Sequence, residues 1–91
     1  MKVTVLYTPQ CPSNLYFVKG IEDVAATYDA NVEIINVHEE YEKARILMEG
    51  SGVGGTRNLF IRVYLDGELL PIHPGNPRFE ELLAGALEAR R

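Results

Sequence analysis

The sequence predicts an α/β fold: a three-layer α/β/α sandwich, element order β-α-β-α-β-β-α, built around a four-stranded mixed sheet. Three observations carry this prediction. Short apolar runs rich in β-branched residues alternate with stretches whose apolar residues recur every three or four positions. The first two strands are separated by a helical stretch, which makes them parallel with a right-handed crossover. Asp66-Gly67 between the last two strands marks a tight hairpin and an antiparallel edge. Helices then cover both faces of the sheet.

The elements follow in order. Val3 to Tyr7 is a short apolar run and reads as a buried strand. Thr8-Pro9-Gln10 is a turn. Pro12 to Tyr28 reads as a helix, with Leu15, Val18, Ile21, Ala25 and Tyr28 forming one apolar stripe. Cys11 is its expected N-cap, and Pro12 stands at the first helical position, where a missing N–H costs nothing. Gly20 in the interior costs about 1 kcal/mol relative to Ala. That cost points to a kink or a close approach to the sheet.

Asp29-Ala30-Asn31 breaks the pattern, and Val32 to Val37 is the second strand. Glu39 to Glu49 is a helix with Tyr41, Ala44 and Met48 on one face. Glu39 and Glu40 fall in its first turn, where the helix dipole favours acids, and Glu39 is spaced to pair with Lys43. Gly50 stops it. Residues 50–55 are a glycine-rich connector without the phosphate-binding Gly-x4-Gly-Lys pattern. Leu59 to Leu65 is the third strand, and Glu68 to Ile72 returns beside it. Asn76 caps the last helix, with Pro77 at its first position. Phe79, Leu82, Leu83 and Ala86 form its apolar face, and Arg90-Arg91 complement its C-terminal dipole.

The chain has 91 residues, which is one domain (1–91), too short for two independent cores. Its net charge of -4 argues against a nucleic-acid or anionic-membrane binder, since both need a basic face. One cysteine excludes an internal disulfide and any multi-cysteine zinc site. His38 and His73 have no carboxylate spacing that reads as a metal site, so no metal is expected. The N-terminus lacks a signal-peptide stretch and no window reaches membrane-spanning length, so a cytoplasmic location is expected. Arg62 inside an apolar strand snorkels to the sheet edge or marks a strand that pairs with another molecule, which leaves room for a homodimer. Tyr16, Phe17 and Tyr64 read either as an exposed apolar patch near Cys11 or as core.

The element order resembles the thioredoxin fold in its short, glutaredoxin-like form, over nearly the whole chain. The sharpest local likeness is Tyr7-Thr8-Pro9-Gln10-Cys11-Pro12-Ser13-Asn14. It is similar to the strand-to-helix segment of glutaredoxins, where Cys-Pro-x-Cys opens the first helix. The resemblance puts Cys11 on the nucleophilic cysteine and Asn14 where the resolving cysteine would stand. Gly52-Val53-Gly54-Gly55-Thr56-Arg57 resembles the segment before the third strand. There the family has a cis-proline, and Arg57 takes its place in this chain. The peptide bond before Arg57 is expected to be trans, because a cis bond to a non-proline residue costs about 2.5–4 kcal/mol. His73-Pro74-Gly75-Asn76 lies where glutaredoxins carry a glycine-containing turn that receives a carboxylate of glutathione.

These residues suggest a chemistry. A thiolate is the reactive form of cysteine, and a helix N-terminus stabilises it through the dipole and free N–H groups. The N–H groups of Ser13 and Asn14, the Asn14 amide, the Ser13 hydroxyl and the Arg57 charge are the candidate stabilisers, with Pro12 and Thr56 completing the site. A lone thiol lacks the partner that dithiol exchange needs. Monothiol exchange by Cys11 would use glutathione or another small thiol as co-substrate, and a thiol sensor is a further form of the same chemistry. The partner would be a protein or a low-molecular-weight disulfide. Cluster binding of the monothiol Cys-Gly-Phe-Ser type is not matched by Cys-Pro-Ser-Asn. The competing readings are a buried inert thiol and a redox-inactive thioredoxin-fold module that binds a protein or small ligand.

Overall fold

The computed structural model describes residues 1–8, 13–50, 61–72 and 74–90, with the side chains of Ser13 and Gly50 excepted. The elements are β1 (Lys2–Tyr7), α1 (Ser13–Thr27), β2 (Asn31–Asn36), α2 (Tyr41–Gly50), β3 (Ile61–Leu65), β4 (Glu68–Leu69) and α3 (Phe79–Ala89). The sheet order is β2-β1-β3-β4. β1 and β2 run parallel, with Val3 beside Val32 and Leu6 beside Ile35. β3 lies antiparallel to β1, and β4 antiparallel to β3. The expected α/β class and mixed four-stranded sheet are therefore present.

Alternation along the strands builds two cores. Val3, Val5, Ile61, Val63 and Leu65 face α1 and α3, where they meet Val18, Ile21, Ala25, Phe79, Leu83 and Leu87. Leu6, Ile35 and Tyr64 face the other way and meet Ala44 and Met48 of α2. Two helices thus cover one face and one helix the other. The sheet follows the strand period of two and each helix the period of about 3.6.

The hairpin closes as its sequence predicts. Asp66 and Gly67 both adopt positive φ, 50° and 86°. The turn also serves as an anchor. Asp66 Oδ1 accepts the backbone N–H of Lys2 at 2.9 Å, and Arg90 at the end of α3 reaches Glu68 at 2.9 Å. Arg90 stands at the C-cap of α3, the end where a basic residue was expected, and also ties α3 to the hairpin; Arg91 lies outside the described residues.

Several expectations are corrected. β4 ends at Leu69 rather than Ile72. Pro71 has no N–H to give a ladder, and Ile72 N–H instead folds back to the carbonyl of Leu70 at 2.8 Å. α2 begins at Tyr41, so Glu39 lies in the preceding turn and cannot reach Lys43 at helical spacing. Lys43 pairs with Glu33 of β2 at 2.8 Å instead, and Glu33 also holds Lys2 at 2.9 Å. Tyr41 is half exposed, and α2 buries Ala44 and Met48. α3 begins at Phe79, yet Asn76 does cap the turn before it, with Oδ1 accepting the N–H of Arg78 at 2.9 Å.

Candidate functional site

The strand-to-helix junction is where the sequence places the chemistry. β1 leaves the sheet at Tyr7, and α1 starts at Ser13. Its buried stripe is Asn14, Val18, Ile21 and Ala25, at spacings of four, three and four. Leu15, expected on that stripe, is 61% exposed, while Asn14 beside it is 2% exposed. Val18, Ile21 and Ala25 are buried as expected, so the apolar reading fails only in the first turn, where Asn14 takes the place expected for Leu15.

A hydrogen bond accounts for a polar residue on the buried stripe. Asn14 Nδ2 donates to the backbone carbonyl of Thr8 at 2.8 Å, and lies 3.5 Å from the Thr8 hydroxyl. A buried amide is costly unless paired, and here it pairs with a carbonyl that has left the ladder. Asn14 therefore clamps the start of α1 to the end of β1 and brings together the two ends of the segment carrying Cys11. The Asn14 amide bonds Thr8; the contact expected between it and the Cys11 thiol lies outside the described residues. Thr8 is itself buried. The sequence reading treated it as a turn residue; a threonine six positions before a buried asparagine was the available signal.

Cys11, Pro12, Thr56, Arg57 and His73 lie outside the described residues, as does the side chain of Ser13. Asn14 is the site residue whose surroundings are described. Arg62 is half-buried on β3, opposite Leu6 on the face that carries α2. The expected aromatic patch divides. Tyr64 is fully buried under α2, while Tyr16 is 78% exposed on α1 and meets the Phe17 ring edge to face at 6.0 Å.

A groove of ≈ 290 Å³ runs from these two rings along Gly20 to the turn before α3, where Pro74, Asn76 and Glu80 line it. Gly20 makes its close approach here and not at the sheet: a Cβ on it would stand 2.8 Å from Glu80 Oε1. Sequence reading did not join Gly20 to Glu80, because sixty positions separate them. A second depression of ≈ 440 Å³ lies over the other face, with Thr4, Ile35 and Leu47 under a rim of Lys2, Glu33, Lys43 and Asp66. Glu33, bonded to Lys43 and Lys2, is held below the ordinary carboxylate value of 4.5 by those two ammonium groups.

Among the described residues no cluster of three or more His, Cys, Asp or Glu could hold a metal ion, and no helix is long and apolar enough to cross a membrane. None of the protein-family models, curated proteins or solved structures compared with the chain gives a significant match.

Proposed function

We propose that this chain is a thioredoxin-like protein whose single thiol, Cys11, carries monothiol chemistry at the start of α1. The observation that supports this reading best is the junction itself. Cys11 falls in the short segment between β1 and α1, and the 2.8 Å bond from Asn14 to Thr8 pins the two ends of that segment together. A thiol tethered beside a helix start gains from the dipole and from the first N–H groups of the helix. The element order and the helix layering also agree with the glutaredoxin-like resemblance.

The reaction balances with glutathione as reductant. The Cys11 thiolate attacks the glutathione sulfur of a protein–glutathione mixed disulfide. That bond breaks, the protein thiolate leaves and takes up a proton, and Cys11 becomes glutathionylated. A second glutathione thiolate then attacks the glutathione sulfur on Cys11. Oxidised glutathione leaves, and the Cys11 thiolate is restored. Asn14 has no thiol, so no intramolecular disulfide competes. Ser13, Asn14, Pro12, Thr56 and Arg57 are the residues proposed to stabilise the thiolate or hold the substrate.

One observation favours a second reading. Asn14 is integrated into the buried stripe of α1, so the position of a resolving cysteine has been given a structural task. A chain that keeps the fold as a redox-inactive binding module would show the same feature. The two readings separate on the Cys11 thiol. Its alkylation rate against pH is expected to give a pKa clearly below the free-cysteine value of about 8.5. A pKa at or above that value, with Cys11→Ser unchanged in reduction of a glutathione mixed disulfide, leaves the binding module.

A further inference from the structure

The groove between α1 and α3 has a chemical character of its own. Tyr16 and Phe17 line one wall; Phe17 packs against the core, and Tyr16, in edge-to-face contact with it, is 78% exposed. Glu80 is the charged group among the described lining residues. Its carboxylate oxygen lies over Gly20, in space that any side chain at that position would fill. Its neighbour Glu81 is paired with Arg78 at 3.3 Å, whereas no ion pair reaches Glu80 among the described residues.

A carboxylate with no ion pair among the described residues, beside the exposed Tyr16 ring, attracts a cation through charge and through the ring quadrupole. We propose that this groove binds the basic side chain, arginine or lysine, of a polypeptide partner. Glu80 supplies the counter-charge, the Tyr16 ring receives the guanidinium or ammonium and its aliphatic stem, and Gly20 leaves room for the carboxylate. The net negative charge of the chain favours approach of such a partner. This inference stands on the groove alone and holds whether or not Cys11 is reactive.

Glu80 also occupies the first turn of α3, where an acid offsets the helix dipole. Glu81 shares that position and faces Arg78 rather than the groove, so Glu81→Gln removes a similar dipole contribution without touching the site. The experiment is a backbone amide NMR titration of the full chain with the peptide acetyl-Gly-Ser-Arg-Ser-Gly-amide. Its control is the same peptide with citrulline in place of arginine. Saturable shifts centred on Tyr16, Phe17, Gly20, Gly75 and Glu80 are expected with arginine and not with citrulline. E80Q is expected to weaken binding about tenfold, which corresponds to about 1.4 kcal/mol. E81Q is expected to leave it unchanged, and G20A to weaken it by displacing the carboxylate while the helix stays folded. Equal shifts from both peptides, no shifts, shifts spread over the acidic surface, or an E80Q protein that binds as well as the parent would each overturn the proposal.

Discussion

The two faces of the sheet are held in different ways. On one, α1 and α3 enclose a core drawn from two helices and two strands, with Val3, Val5, Ala25, Val63, Leu83 and Leu87 fully buried. On the other, α2 alone covers Leu6, Ile35 and Tyr64, resting on Ala44 and Met48. There the remaining hold is ionic: Lys43 reaches down to Glu33, which also holds Lys2. The outer side of α2 carries its own fork, in which Arg45 bridges Glu42 and Glu49. Ile46 and Tyr41 remain largely exposed. Apolar burial stabilises in proportion to area, whereas exposed ion pairs contribute about 0–1 kcal/mol each. The α1–α3 face should therefore govern global stability, and α2 should open first.

The largest expected effect breaks the stronger face. Leu83→Ala removes a fully buried side chain between α3 and the sheet, and a loss of about 3–4 kcal/mol is expected from urea unfolding. Met48→Ala on the α2 face is expected to cost less, about 2 kcal/mol, because a one-helix cover can settle into the space. Equal losses would erase the contrast.

A middle-sized effect tests the junction. Asn14→Ala removes the buried hydrogen bond from Asn14 to the Thr8 carbonyl, for an expected loss of about 1–3 kcal/mol. Hydrogen exchange in the first turn of α1 should rise with it. Asn14→Asp is the sharper variant, since a carboxylate cannot donate to the Thr8 carbonyl.

The smallest effect concerns the ionic hold on α2. Glu33 has a depressed carboxyl pKa because Lys43 and Lys2 bond its ionised form. Its contribution is therefore full above the ordinary value of 4.5 and is lost as pH falls through the depressed pKa. Glu33→Gln is expected to cost no more than about 1 kcal/mol near neutrality. The difference from the parent should shrink in strong acid and in high salt. A difference that persists in acid would assign the loss to packing, and would make the two faces more alike than proposed.

The sequence by itself determined the alternation of strands and helices, the parallel β1–β2 pair and the Asp66-Gly67 turn. Each of these is set by local causes: β-branched runs, helical periodicity, and the positive φ that the turn requires. It also set Cys11 apart by the motif around it. Tertiary structure decided the finer choices. Which of Asn14 and Leu15 faces inward depends on the Thr8 carbonyl, which becomes available only once β1 has left the sheet. Whether Lys43 pairs with Glu39 or Glu33 depends on α2 starting at Tyr41 and lying over β2. The close approach at Gly20 arises only when α3 brings Glu80 against it, across sixty positions of chain. Periodicity reads the face an element buries against solvent, but a hydrogen bond such as that of Asn14 to Thr8 overrides it at single residues.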